Sequence, residues 1–236
     1  MQDLGLDTAF FDPPQVICHQ ESNTKKSINL ITVFARSMNA DAIIVSSHGR
    51  TGVDRLLMGS FAEQLILKAQ PPVIVLGKSY RNWEQERVLF ATDLSAASKK
   101  ALDHARPLLS ALKAQVVLYH SLRRPEFLSL DPGILLPGGN LLPIQEFMKN
   151  EKVTSEALLQ KWCDELDRER IRATRVVGEA HGDLALEIRE AAGIKNATWI
   201  ALASEHGALS ASVFGSVART LARDFDGPVW ISHEEE

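Results

Sequence analysis

Apolar residues in this chain fall into short continuous runs, separated by stretches in which they recur every three or four positions. The runs RVLF (87–90), VVLY (116–119), WIALA (199–203) and VWI (229–231) have the length of buried strands, and the stretches between them have the spacing of amphipathic helices. Strands covered on both faces read as continuous apolar runs, so the pattern predicts a parallel sheet between two layers of helix. The order from residue 86 is strand RVLFATDLS (87–95), helix 96–114, strand QVVLYHS (115–121), a loop to about 143, and a helix to about 169. Strand IRATRVV (171–177), helix 183–193, strand TWIALAS (198–204), a Gly-Ser helix and strand PVWIS (228–232) complete it. Leu158, Leu159, Trp162 and Leu166 form the packing stripe of the long helix rather than a cofactor box.

The first 79 residues repeat only the second half of that plan: a strand near PQVICH (14–19), helix 24–39, strand DAIIVS (41–46), helix FAEQLILKAQ and strand PVIVLG (72–77). The segments DAIIVSSHGRTGVDRLLMGS (41–60) and WIALASEHGALSASVFGS (199–216) each run from a strand through Ser-x-His-Gly into Gly-Ser. Gly59 to Pro72 and Gly215 to Pro228 each span 13 residues. Two copies of one half-fold follow: residues 1–79 partial, residues 86–236 complete. A glycine turn lets backbone N–H groups approach an anion without Cβ interference, and a helix N-terminus adds partial positive charge. Gly59 and Ser60 are the candidate phosphate cradle of the first copy, and Gly215 and Ser216 that of the second. Ser60 and Ser216 could each cap a helix or bind a phosphate oxygen.

Composition narrows the classes. The 236 residues, 45% hydrophobic and 24% charged, suffice for a sizeable core. No apolar run approaches the roughly 20 residues of a membrane helix, and MQDLGLDTAFFDPP has no signal-peptide pattern, so a cytoplasmic protein without membrane contact is expected. A net charge of −4 argues against DNA as the main partner. Cys18 and Cys163 are too far apart in sequence to suggest a disulfide framework or a metal cluster, and read as buried thiols.

The matched segments resemble the universal stress protein family in its tandem form. The resemblance rests on ATDLS with Ser98 and Ala101, the Tyr119-His120 strand end, Gly178 before a helix, the HG-to-GS segments, and the closing PVIVLG and PVWIS. It implies an α/β fold with a doubly wound parallel five-stranded sheet, of the adenine nucleotide alpha hydrolase-like kind. It also implies ATP or another adenine nucleotide as ligand, with Mg2+ as its companion ion. ATP-binding members carry Gly-x2-Gly-x9-Gly-Ser/Thr. Gly49, Gly59 and Ser60 keep the x9 spacing, but Ser46 stands at the first glycine. In the second copy Ser204 stands there, Gly207 to Gly215 leaves seven intervening residues, and Glu205 puts a carboxylate beside the phosphate path. Asp93 is present only in the second copy, at the strand end that in the family lies near the nucleotide. The resemblance also places PVIVLG against PVWIS across a pseudo-twofold axis, mimicking the family's dimer.

Alternative roles stand beside each site residue. His48 and His206 suit turn residues bonded to backbone better than catalytic groups, because no partner is spaced to activate them. His104 and His120 read as surface or packing groups, and Arg55 as a solvated face. Arg50 could equally contact phosphate or solvent, and Asp93 could bind nucleotide or magnesium or cap the helix near Ser95. The missing first strand of copy one would leave the edge of DAIIVS unpaired. Met1 is therefore read as internal to a longer tandem protein, the alternative being that another chain or a rearranged part of this one fills the gap, and self-association through the closing strands and the incomplete edge is expected. The leading functional reading is a stress-response regulator that binds adenine nucleotide without efficient turnover. A nucleotide-independent scaffold and a slow ATP hydrolase are the alternatives, the last without a nameable general base.

Overall fold

The alternation of apolar runs and helical spacings forms a seven-stranded sheet covered by six helices among the described residues. The computed structural model describes residues 23–46, 60–69, 71–77, 85–122, 144–179, 182–204 and 215–233. The first copy contributes α1 (Thr24–Ser37), β1 (Ile43–Ser46), α2 (Ser60–Lys68) and β2 (Val73–Leu76). The second contributes β3 (Arg87–Ala91), α3 (Ala96–Ala111), β4 (Gln115–Leu122), α4 (Ile144–Arg168) and β5 (Ala173–Glu179). It continues with α5 (Leu184–Ile194), β6 (Trp199–Ser204), α6 (Ser216–Asp224) and β7 (Val229–His233). The strand expected at 14–19 lies outside the described residues.

The strand order is β1-β2-β7-β6-β3-β4-β5. Within the second copy all pairs are parallel, giving the doubly wound five-stranded sheet. The closing strands join the copies: β2 pairs with β7 antiparallel, with Val73 opposite Ile231, Ile74 opposite Trp230 and Val75 opposite Val229. Alternate strand residues feed two cores. Leu89, Tyr119, Ile200, Leu202, Val73, Val75 and Val229 pack beneath α1, α2, α5 and α6. Val88, Phe90, Val116, Leu118, Trp199 and Trp230 pack beneath α3 and α4, with Leu159, Trp162 and Leu166 of the expected stripe.

Local chemistry sets the boundaries. Ser95 caps α3 by accepting from the Ser98 amide at 3.1 Å, and Asp183 caps α5 by accepting from Ala185 at 2.8 Å. Lys113, Arg170 and Asn196 take positive φ (49°, 64° and 51°) in the turns that follow α3, α4 and α5. The buried Glu86 carboxylate accepts from Thr198 Oγ1 at 2.5 Å and Trp199 Nε1 at 3.0 Å, which ties the start of β3 to that of β6. Gly178, expected before a helix, lies inside β5, because the ladder with β4 continues to Leu122 opposite Glu179.

Candidate functional site

The order of strands reverses between β3 and β6, so connections leaving their carboxyl ends diverge to opposite faces and open a crevice. A cavity of about 660 Å³ lies there, within the range of about 300–1,000 Å³ usual for small-molecule sites. Ala91, Leu184, Ile188, Leu202, Val217 and Ala218 give it apolar walls. Thr92, Asp93, Ser98, His120, Ser121 and Glu151 supply its polar groups, and Gly215 stands at its margin.

The turn after β3 is tightly determined. Asp93 Oδ1 accepts from the Ser95 amide at 2.9 Å and from Ser98 Oγ at 2.5 Å. Leu94 sits at φ 66°, a conformation an apolar L-residue seldom adopts, and its amide donates to Thr92 Oγ1 at 2.9 Å. The Thr92 amide donates to the Tyr119 carbonyl, and His120 Nδ1 lies 2.9 Å from the Thr92 carbonyl. A carbonyl oxygen only accepts, so His120 carries its proton on Nδ1, and in the neutral ring Nε2 is an acceptor. The turn is thereby fastened to the end of β4.

The cavity floor is a second network. Ser121 Oγ donates to Glu187 Oε2 at 2.8 Å, and the Gly182 amide donates to Glu187 Oε1 at 2.9 Å, drawing the start of α5 against β4. Burial pushes the Tyr119 phenol above its usual pKa; its hydrogen bond with Ser121 opposes this, and the charges of Glu187 and Glu190 add to it. Gly178 leaves room for that phenol, since a Cβ there would come within 2.5 Å of the hydroxyl.

The helix facing this floor begins without a side-chain cap. Gly215 is the N-cap of α6 and so offers the first amides no side-chain acceptor, and among the described residues a Cβ built on Gly215 meets nothing within 4 Å. Ser216, expected as a cap or phosphate ligand, is the first helical residue and is exposed, so it is not the cap. Of the sequence-derived site residues, the fold brings Asp93 and Gly215 to this cavity. Ser204 ends β6. Ser46 ends β1 and Ser60 begins α2, while His48, Gly49, Arg50, Gly59 and Gly207 lie outside the described residues. Because β2 and β7 are antiparallel, the carboxyl ends of the first copy's strands face the opposite way from those of the second. Ser46 and Asp93 therefore belong to opposite ends of the sheet and cannot share one ligand.

Sequence reasoning did not single out Ser121, Glu151, Leu184, Ile188 and Val217. The rule that ligands sit at the carboxyl ends of strands could have found Ser121; the walls from α5 and α6 needed the packed fold. Among the described residues, no cluster of His, Cys, Asp or Glu is arranged to hold a metal ion, and no helix is long and apolar enough to cross a membrane.

A sequence model of the universal stress protein family matches residues 9–77 and again 85–233. The chain belongs to the universal stress protein family. A universal stress protein of Methanocaldococcus jannaschii is 40% identical over 60 residues, which are 25% of this chain and 35% of that protein. A universal stress protein structure from Archaeoglobus fulgidus aligns with TM-score 0.59 at 19% identity, covering 89% of this chain and 66% of that one. A structure from Pseudomonas aeruginosa aligns with TM-score 0.61 at 16% identity, covering 86% of this chain and 66% of that one. At such identities the structural likeness speaks for the shared fold. The chain thus spans about two thirds of these solved relatives, and its match spans about a third of the curated one.

Proposed function

We propose that this universal stress protein binds an adenine nucleotide in the cavity at the carboxyl ends of β3, β4 and β6 and acts in the stress response through that bound state, without efficient turnover. The observation that carries the reading is the pairing, in one cavity, of aliphatic walls with a helix N-terminus whose cap residue, Gly215, has no side chain. Leu184, Ile188 and Val217 suit the flat apolar faces of a base, and the first amides of α6 suit a phosphate. His120 Nε2 and the carboxylates of Asp93 and Glu151 favour donors such as ribose hydroxyls, or a Mg2+ ion carried by the phosphates. Those same carboxylates would oppose a bare polyphosphate, so the reading needs the magnesium complex.

Gly215→Asp tests it. A carboxylate at the N-cap accepts the first amides of α6 and should hold or raise stability by up to about 1 kcal/mol, while occupying the place of a phosphate. Calorimetry with ATP and Mg2+ should show binding by the native protein and a loss of tenfold or more in the variant. Unchanged affinity in a folded Gly215→Asp protein would remove the site from this cavity. The parallel Gly59→Asp variant reports on the first copy. No binding by the native protein, with no adenine nucleotide released from it in mass spectrometry, would favour the scaffold reading, which Glu205 and the shortened turn support.

A further inference from the structure

At the other end of the second copy's sheet, a pocket of about 380 Å³ opens beneath the carboxyl end of α5. Strand register assembles it. Arg87 stands opposite Gln115, Val117 stands opposite Thr174, and the Val116 amide donates to the Arg172 carbonyl at 2.8 Å. Arg87, Gln115 and Arg172 thus sit at one level across three neighbouring strand starts, on the face that α5 covers, and Lys195 comes down from the end of α5.

The charges are unevenly committed. The Arg87 guanidinium donates to the Lys195 carbonyl at 2.7 Å and to Gln115 Oε1 at 2.9 Å. It therefore closes the end of α5 and turns the Gln115 side-chain amide so that its NH2 is left as a donor. Arg172 is exposed and Lys195 half-buried, and neither makes an ion pair among the described residues. The described lining holds three cations and no carboxylate, in a chain whose net charge is −4. The described acids near in sequence are engaged elsewhere, Glu169 with Arg106. Glu86 is bonded to Thr198 and Trp199, and Asp167 accepts the Ala173 amide at 3.2 Å. The helix end offsets part of the positive charge, and Arg87 answers that part. What remains is a concave surface with two cations that no described carboxylate answers and an oriented amide.

The geometry points to this pocket as a binding site for a small multivalent oxyanion. Arg172 and Lys195 supply the charge, and Arg87 and Gln115 fix the orientation. Phosphoryl and carboxylate groups share this chemistry, and two probes distinguish them. Amide chemical shifts of the full chain are followed as inorganic pyrophosphate or citrate is added, at constant ionic strength and in the Gly215→Asp background so that the other end of the sheet is blocked. Saturable shifts clustered at residues 115–117, 172–174 and 194–195 are expected from at least one probe, and the tighter one identifies the group. Arg172→Gln with Lys195→Gln, both surface changes that leave Arg87 on α5, should weaken that binding tenfold or more, with the circular dichroism spectrum unchanged. Absence of clustered shifts with either probe up to about 10 mM, or equal affinity in the folded double variant, would overturn the proposal.

Discussion

Single residues decide how tightly the cavity is built. Gly178 exists in β5 because the Tyr119 ring lies over it. Gly178→Ala places a Cβ 2.5 Å from the hydroxyl and 3.0–3.1 Å from the ring carbons, so the ring must move into the cavity or the strands must part. A loss of about 1–3 kcal/mol in urea unfolding is expected, with partial recovery when Tyr119→Phe removes the nearest atom. A Gly178→Ala protein as stable as the native one would show that the ring has slack. Cys163 carries a pH signature. Burial raises its thiol pKa from 9.0 to about 11, with the Arg175 charge opposing and Asp167 and Asp164 adding. The folded state holds that proton more tightly, so its stabilising effect is complete below pH 9 and is lost as pH rises towards 11. Stability should fall over that window by about 2 kcal/mol more in the native protein than in Cys163→Ala, and the thiol should resist alkylation at neutral pH. Equal slopes for the two proteins would contradict it. Cys163 was legible as a buried thiol because two distant cysteines make no disulfide framework or metal cluster; Tyr119 over Gly178 was not legible, because two residues 59 apart in sequence meet only after β4 and β5 are in register.

At the scale of elements, the seam between β2 and β7 carries the most information. Gly77 follows β2 directly, and a Cβ there would lie 2.1 Å from the Asp226 carbonyl oxygen and 2.5 Å from its carbon. Those are backbone atoms of the other copy, so Gly77→Ala must displace the seam. It should cost more than about 2 kcal/mol and raise amide exchange in both strands. Gly193 in α5 is the control: a Cβ there meets nothing within 4 Å, so Gly193→Ala should stabilise by about 0.5–1 kcal/mol. If both changes have the same sign, the close approach at Gly77 is not real. The second copy's elements were legible in order and nearly in extent, because RVLF, VVLY and WIALA are runs too short for helices, set between longer stretches of helical spacing. Where boundaries moved, local chemistry moved them. The helix read as 96–114 ends at Ala111 because Lys113 turns at φ 49°, and the strand read as 171–177 begins at Ala173, after Arg170 turns at φ 64°. The partnership of β2 with β7 came from family resemblance, since two apolar strands of similar sequence carry no mark of which edge they share.

For the whole molecule, the two faces of the sheet are unequally covered. On one face α1, α2, α5 and α6 run across both copies. On the other, the described residues place α3 and α4 over the second copy, and from the first copy's strands only Ile74, with the partly buried Ala42 and Leu76, joins their core. Ile44, in the middle of β1 and on that face, is 64% exposed, and among the described residues no strand pairs with the outer edge of β1. An edge that no described strand pairs, carrying an exposed isoleucine, invites another strand, while β2 and β7, already joined to each other, offer no edge. The chain should therefore associate through β1 and not through its closing strands. Size-exclusion chromatography with light scattering should give a mass above 26.1 kDa that falls on dilution. Ile44→Lys should shift it towards the single chain without lowering thermal stability, because the side chain it replaces faces solvent. Val75→Lys provides the contrast: Val75 is fully buried opposite Val229, so a charge there should unfold the seam rather than dissociate an assembly. A mass of 26.1 kDa held from micromolar to millimolar concentration would mean that the edge of β1 is satisfied within the chain, and the association would have to be abandoned.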